Sequence, residues 1–331
     1  FSVLSSRKKY YSSNIKYLNI SIYCQLPAKR SFATTMASTK EADENPLTKL
    51  MAVDKEGLTF ANKTAQWIAY ERHIESQRSD RLFHDPLSGH LVGKYGKLLS
   101  DTFSQHATQL FPGLSEKGFI LYHAARTKLI SDSIAEWSGS NSLKSAEASL
   151  QVLNLGSGYD TRAFWDASLK DVDLYIEVDE AKVNDPKKRV LAEIETLPKL
   201  VCGGRRCISM NFATETIHDL PKHGFIASTP TCWLLEGLIM YLEAEAVKGI
   251  YEAIVELSAV ESFAIVNVVN GGTISKEHHK SSFSDAIFLA NGWTKVKEVM
   301  FGDTEFSYGR YPEGVEPNKS LGFVFYHKKS V

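Results

Sequence analysis

"QVLNLGSGYDTRAF", residues 151–164, decides the fold, because an apolar run ends there in a turn that contains two glycines. An apolar run of this length next to glycine is typical of a buried strand. Gly156 and Gly158 permit backbone angles and a close approach that side chains would block, and we expect the helix that follows to present free N–H groups. The turn therefore predicts a place where a polar or anionic ligand lies against the main chain.

Beyond this turn, short apolar runs alternate with helical segments. The runs are "LYIEV", "CWLLE" and "FAIVNVV", and the helical segments are residues 180–196 and 243–258. Such alternation is the signature of βαβ units around a parallel sheet, which makes the fold class α/β. The last two runs, "TKVKEVMF" and "LGFVFYHK", have only a loop between them, so they predict an antiparallel pair at one edge of the sheet.

Two acids follow the predicted strands. Asp179 ends the strand after the turn, close to the spacing of about 20 residues at which an acid accepts hydrogen bonds from a ribose diol. Glu236 ends the run "CWLLE" and faces the crevice where open α/β sheets bind ligands. Because an unpaired buried carboxylate is costly, we expect a cationic partner for Glu236. These acids and the turn predict an adenosine-type cofactor at the carboxyl edge of the sheet.

Other sites built on a glycine turn fit less well. A dinucleotide site favours a third glycine at position 161, where this chain has Thr161. A nucleophile elbow requires glycine where Leu155 stands, two residues before Ser157. Asp160 and Arg162 flank the turn, and they either pair with each other, cap the helix or touch the ligand.

The section before the turn is helical in pattern from position 58 to 137, with a helix break predicted at Asp85-Pro86. Residues 1–35 are basic and rich in serine, which is typical of a disordered leader or of translated upstream sequence. We therefore predict a flexible segment at 36–57, a helical cap at 58–140 and a catalytic core at 150–328. The protein is expected to be cytoplasmic if translation starts at Met36, and mitochondrial or plastid if residues 1–35 direct it there.

Composition points to small-molecule partners. The chain has 331 residues, 43% of them hydrophobic, and a net charge of −1, which gives no general field that would attract nucleic acid or an anionic membrane. No apolar stretch reaches the roughly 18 residues that span a bilayer. The cysteines form no CxxC pair, so neither a metal site nor a disulfide framework is predicted. The oligomeric state is left open; the cysteines are Cys24, Cys202, Cys207 and Cys232.

The motifs "VLNLGSGYDTRAFW", "IEVD" and "WLLEGLIMYL", in this order, resemble the leucine carboxyl methyltransferase family. The front stretch "TAQWIAYERHIESQRSDRLFHDPLSGHL" resembles the opening of its small-molecule O-methyltransferase branch. The resemblance implies a Rossmann-type class I methyltransferase sheet of seven strands, mostly parallel, with an antiparallel edge hairpin and an N-terminal helical lid. It also implies S-adenosyl-L-methionine as the cofactor.

The resemblance further assigns roles to residues. Arg126 would bind the methionine carboxylate, Asp179 the ribose hydroxyls, and Glu236 would lie near the methionine ammonium and the reacting centre. Asn211 stands where the family often has aspartate, and its side-chain oxygen can still accept a hydrogen bond from the adenine amino group. The remaining cofactor positions are Gly156 and Gly158, which let the cofactor pass the backbone, Phe212, which follows Asn211, and Arg72 as a second carboxylate contact. Tyr241 lies shortly after Glu236 in the sequence, and we expect it either to line the acceptor pocket or to belong to the core.

The predicted activity is transfer of a methyl group to a carboxylate or hydroxyl of a small molecule. Methylation of a protein's C-terminal carboxylate is one alternative, and a NAD-dependent oxidoreductase or an inactive binding module are alternatives of other classes. A carboxylate acceptor needs no general base, whereas a hydroxyl acceptor would benefit from one. His73, His84 and His123 are candidates for that base, and none of them is assigned, so the catalytic residues are left unknown.

Overall fold

The computed structural model describes residue 50 and residues 52–110, 117–145, 148–269, 284–317 and 321–329. The predicted leader, residues 1–35, lies outside these ranges, as do residues 36–49 of the predicted flexible segment. Cys24 lies outside them too. The predictions made for these residues stay predictions.

Seven strands form one sheet in the order β3-β2-β1-β4-β5-β7-β6. The first five of these positions are parallel, and β7 runs antiparallel to both β5 and β6. This confirms the predicted class I methyltransferase sheet and its antiparallel edge pair. The strands are β1 (Gln151–Leu155), β2 (Leu174–Asp179), β3 (Arg205–Ser209), β4 (Thr231–Leu235), β5 (Phe263–Val269), β6 (Trp293–Met300) and β7 (Leu321–Lys328).

Helices surround the sheet. The helical segments predicted at 180–196 and 243–258 are confirmed as the helices α5 and α6. In the described part of the chain the α-helices are α1 (Phe60–Ser76), α2 (Gly96–Leu110), α3 (Gly118–Ser138), α4 (Asn141–Ser145), α5 (Ala181–Ala192), α6 (Ala244–Leu257), α7 (Ala286–Ala290) and α8 (Thr304–Ser307). Short 3-10 helices lie at Ser88–Leu91, Arg162–Phe164, Ala167–Leu169, Ile217–His223 and Ile239–Tyr241.

Both faces of the sheet are covered by apolar layers. Because successive residues of a strand point to opposite faces, neighbouring residues of β1 enter different layers. Val152 lies in a cluster with Leu129 and Ile134 of α3, and Leu153 lies in a cluster with Ile250 of α6. Helix α3 thus packs directly on the sheet, although its sequence falls in the predicted cap. The boundaries 58–140 and 150–328 stay predictions.

The helices α1 and α2, called the lid here, are held mainly by two smaller apolar clusters. In one, the ring of Trp67 on α1 stacks on Phe103 of α2 with 4.5 Å between ring centroids. In the other, Ala69 of α1 packs with Val183 of α5 and with Tyr159, which belongs to the glycine turn (residues 156–161). The predicted N-terminal helical lid is therefore present and sits on the turn.

In the ranges that the structure describes, no helix is both long and apolar enough to cross a bilayer.

Candidate functional site

Three of the predicted site residues meet at one edge of the sheet. β1 pairs in register with β2 and with β4, and the register places the last residue of β1 beside the carboxyl ends of both neighbours. Gly156, Asp179 and Glu236 are the residues that end or directly follow these strands. The expectation that they share the carboxyl edge is confirmed.

The two glycines of the turn have left-handed backbone conformations. Gly156 has a φ of 71° and Gly158 a φ of 52°, a region that residues with a Cβ atom rarely adopt. A Cβ atom on Gly156 would also lie 2.8 Å from Cδ1 of Leu238. Glycine is therefore required at position 156 for both its backbone angle and its close packing.

The N–H groups of the turn are used by the protein itself. Those of Gly156 and Ser157 donate to one carbonyl oxygen near the end of β2, at 2.8 and 3.1 Å, and that of Gly158 donates to Oδ2 of Asp179 at 2.7 Å. The chain then forms the short 3-10 helix Arg162–Phe164 rather than an α-helix. The expectation of a helix that presents free N–H groups here is therefore wrong.

Side chains explain the short helices. Asp160 accepts the N–H of Arg162 at 2.7 Å through Oδ1, and Asp166 accepts that of Ser168 at 3.0 Å. Aspartates that bond to nearby backbone N–H groups favour turns over continuous helix. The sequence therefore encodes two short turns after the strand, where the glycine turn had led us to expect a helix.

Asp179 is fixed by backbone donors on both oxygens. Its Oδ2 accepts from Gly158, and its Oδ1 accepts from the N–H of Glu180 at 2.7 Å. Burial raises the pKa of Asp179, and the two backbone N–H groups counteract that effect. A carboxylate oxygen has more than one acceptor position, so this orientation leaves Asp179 able to accept further hydrogen bonds.

Glu236 is held between two arginines. Its Oε1 accepts from Nε of Arg126 at 2.8 Å, and its Oε2 accepts from Nη1 of Arg162 at 2.9 Å. The side chain of Glu236 is 9% exposed, and those of Arg126 and Arg162 are 7% and 2% exposed. The cationic partner expected for Glu236 is confirmed, and there are two of them.

These contacts keep Glu236 ionised. Burial by itself would raise the pKa of Glu236, but Arg162 and Arg126 outweigh burial and lower this pKa to about 2. Arg162 is neutralised further, because it also binds the carboxylate of Asp160 and lies 3.7 Å from Asp166. Asp160 and Arg162 thus pair with each other, as one of the sequence alternatives had it. The sequence did not indicate that Arg162 also reaches Glu236.

Arg126 extends from α3 toward the backbone that follows β4. With its Nε on Glu236, the guanidinium lies 5.7 Å from the ring centroid of Tyr122. A Cβ atom on Gly237 would lie 3.6 Å from Nη1 of Arg126, so the Nη end of the fork lies beside that backbone. Because position 237 has no side chain, no Cβ atom crowds this end of the guanidinium.

Arg72 links the lid to the glycine turn. Its Nε donates to Oδ2 of Asp85 at 3.1 Å, and its Nη2 donates to the carbonyl oxygen of Tyr159. The same Oδ2 of Asp85 accepts from Oγ1 of Thr161 at 2.7 Å. Sequence reasoning predicted only a helix break at Asp85, so it missed this buried acid. The one local signal was an acidic residue next to proline.

The remaining predicted residues lie around the same edge. Asn211 follows β3, and its Oδ1 accepts from the N–H of Ala213 at 2.9 Å, while Phe212 is buried beside it. Burial raises the pKa of Tyr241, and the Thr64 side chain on the lid counteracts that effect. The ligand contacts predicted for Asn211, Phe212 and Tyr241 stay predictions.

The candidate histidines differ in surroundings. Nδ1 of His123 is bonded to the buried carboxylate of Glu71, and the ring of His123 meets Trp67 edge to face, with burial lowering the pKa of His123. His73 contacts the side chain of Gln77 at 2.8 Å. His84 is exposed. No cluster of three or more His, Cys, Asp or Glu residues that could hold a metal ion occurs among the residues described.

Known proteins resemble this chain in sequence. The family model for leucine carboxyl methyltransferase matches residues 65–255. A Parafrankia protein named "Putative S-adenosyl-L-methionine-dependent methyltransferase" is 32% identical over 207 residues, which cover 61% of this chain and 61% of that protein. Proteins of the same name from Mycobacterium ulcerans and Mycolicibacterium smegmatis are each 30% identical, covering 60% and 66% of this chain and 63% and 69% of their own lengths. The chain spans about three fifths of the length of the first two relatives.

One solved structure is similar to this chain. A DUF574 family protein from Streptomyces avermitilis is 12% identical, with a TM-score of 0.46 over 79% of this chain and 96% of that one.

Proposed function

The chain belongs to the leucine carboxyl methyltransferase family, and on that premise we propose that it is an S-adenosyl-L-methionine-dependent O-methyltransferase that acts on a carboxylate or hydroxyl of a small molecule. The observation that carries this proposal is the buried group of Arg126, Glu236 and Arg162 at the same sheet edge as Asp179. S-adenosylmethionine has a nucleoside at one end and a zwitterionic amino acid at the other. The edge offers an acid for the first and paired opposite charges for the second.

Specific side chains would contact each end of the cofactor. Asp179 would accept hydrogen bonds from the ribose hydroxyls, because its carboxylate is oriented by two backbone N–H groups. The Nη groups of Arg126 would hold the methionine carboxylate, since a guanidinium fork suits that shape. Glu236, kept ionised by its arginines, would attract the methionine ammonium. The left-handed glycines would let the chain between these ends pass close to the main chain.

Methyl transfer from a sulfonium requires little direct chemistry from individual side chains. Methyl transfer from a sulfonium is an in-line displacement in which the acceptor oxygen forms a bond to the methyl carbon while the carbon–sulfur bond breaks. The sulfur would keep the electron pair and leave as a neutral thioether. A hydroxyl acceptor would also lose its proton to a base or to water, whereas an ionised carboxylate has no proton to lose. The protein therefore has to align acceptor and methyl group and to exclude water. The lid, seated on the glycine turn, is the element placed to exclude water.

The alternatives of other classes are supported less. A dinucleotide turn favours glycine at position 161, whereas the Thr161 hydroxyl here donates to the buried Asp85. An inactive module would not need to retain a buried ion group, which is costly to bury and here lies at the ligand edge. Methylation of a protein's C-terminal carboxylate uses the same cofactor and differs only in the acceptor. An experiment on the methylated product therefore distinguishes it from small-molecule methylation.

S-adenosylmethionine and S-adenosylhomocysteine are expected to stabilise the protein by about 2.7 kcal/mol at one hundred times the dissociation constant. Asp179→Asn is expected to weaken this binding by at least about tenfold, because the amide replaces an acceptor of ribose hydrogen bonds with a donor. Thermal unfolding with titrated ligand measures both effects, and Asp219→Asn, at an exposed ion pair with Lys222, is the matched control. Stabilisation by NAD(H) alone would overturn the proposal.

The acceptor class can be read from the product. With methyl-labelled S-adenosylmethionine, we expect label to enter small acids or hydroxyl compounds and not peptides that end in a leucine carboxylate. Mild alkali releases volatile methanol from methyl esters and leaves methyl ethers intact, so it separates carboxylate from hydroxyl acceptors. Label that enters only the peptides would transfer the assignment to the protein-methylating alternative.

A further inference from the structure

Asn267 is a buried polar residue inside an apolar strand. It lies in β5, within the run "FAIVNVV", and it is 1% exposed. Burying an amide without hydrogen-bond partners costs free energy, so an asparagine at such a place needs partners for its groups. The positions of those partners indicate what the residue does.

The amide of Asn267 bonds to three separate elements. Its Oδ1 accepts from the N–H of Gly237 at 3.2 Å. Its Nδ2 donates to Oη of Tyr122 at 3.0 Å and to the carbonyl oxygen of Gly322 at 2.9 Å. One side chain on β5 thereby connects the residue after Glu236, a tyrosine of α3, and the neighbouring strand β7.

Two of these partners adjoin the central ion pair. Gly237 directly follows Glu236, and its φ of 65° sets the direction in which the chain leaves β4. Tyr122 precedes Arg126 by about one helical turn on α3, and the two side chains interact, with the guanidinium 5.7 Å from the ring centroid. One amide group thus bonds both to the residue that follows the carboxylate and to a tyrosine that contacts its arginine.

We propose that Asn267 is a positioning residue that fixes Glu236 relative to Arg126 and thereby sets the affinity for the amino-acid end of the cofactor. This inference rests on the proposed function. Asn267 would not touch the nucleoside end, because its bonds lead to β4, α3 and β7 and not to β2 or the glycine turn. The two ends of the cofactor should therefore respond differently when Asn267 is changed.

The test compares two ligands. S-adenosylhomocysteine carries the amino-acid end, whereas 5′-methylthioadenosine has the same nucleoside without it. Asn267→Asp keeps an acceptor for Gly237 but loses the donors to Tyr122 and Gly322. We expect it to weaken S-adenosylhomocysteine binding by about tenfold or more and to leave methylthioadenosine binding within about twofold, measured by calorimetry.

Two further variants complete the test, one as a substitute for Asn267→Asp and one as a control. Tyr122→Phe removes only the hydroxyl, and we expect it to cause a smaller loss of affinity with the same selectivity. This variant tests the proposal if Asn267→Asp does not fold. Gln151→Glu is the control. Gln151 is another buried amide of the sheet, lies at the amino end of β1 and bonds to the backbone of Ile226. Its substitution should leave both affinities unchanged.

The outcomes are separable. Equal weakening of both ligands by Asn267→Asp or Tyr122→Phe, or no weakening of either, would overturn the positioning role. Failure of the unsubstituted protein to bind S-adenosylhomocysteine would instead overturn the proposed function, and the positioning role with it.

Discussion

Glu236→Gln is expected to lower the free energy of unfolding by about 3 to 5 kcal/mol and to remove measurable binding of S-adenosylmethionine. The substitution keeps the size of the side chain and removes its charge. Arg126 and Arg162, both nearly fully buried, would then lack the carboxylate they share. Urea unfolding followed by circular dichroism measures the first effect, and calorimetric titration with the cofactor measures the second.

The control for this substitution is a glutamate of a different kind. Glu252 pairs with Lys248 on the exposed face of α6, at 2.7 Å. Glu252→Gln should change the free energy of unfolding by less than about 1 kcal/mol, because exposed ion pairs contribute little. If Glu236→Gln unfolded at the same urea concentration as Glu252→Gln, the buried ion group would not be the structural centre of the site.

Much of the sheet could be predicted because its signals are local. Short apolar runs separated by helical segments leave a parallel sheet as the consistent arrangement. The lack of a long helical segment between the last two runs favoured an antiparallel pair, and the structure confirms that pair although the short helix α8 (Thr304–Ser307) lies in the connection. The need of Glu236 for a cation was likewise predictable, since it follows from the cost of burying a lone charge. Each of these inferences uses only residues that are close in sequence or a general energetic rule.

The identity of the partners was less predictable because it depends on distant contacts. Arg162 and Glu236 are 74 residues apart and meet only because β1 and β4 are neighbours in the sheet. Arg126 was named because the stretch "AARTKLISD" around it resembles the family, and not because of helical periodicity. Asn267 was part of a predicted apolar strand, and the sequence analysis gave it no role. Side-chain directions at a sheet edge are set by tertiary packing, and periodicity carries no information about them.

Asp85→Asn is expected to lower the free energy of unfolding by about 3 kcal/mol and to loosen the lid. The carboxylate of Asp85 accepts four hydrogen bonds. Two come from the N–H groups of Leu87 and Ser88, at 3.0 and 3.1 Å, and two from the side chains of Arg72 and Thr161. The amide oxygen of asparagine could keep the backbone pair, but its NH₂ group would face two donors, and Arg72 would lose its counter-charge in a buried site.

Hydrogen exchange locates this effect. Because Asp85 joins α1 to the glycine turn, amides of α1 should exchange faster in Asp85→Asn, whereas those of β1 and β4 should keep their relative protection. Asp101→Asn, at an exposed ion pair with Lys97 on α2, is the matched control and should leave α1 protected. Unchanged exchange of α1 in Asp85→Asn would show that apolar packing alone seats the lid. If exchange becomes faster only in α1 and cofactor binding also becomes weaker, the carboxylate of Asp85 both seats the lid and supports the cofactor site.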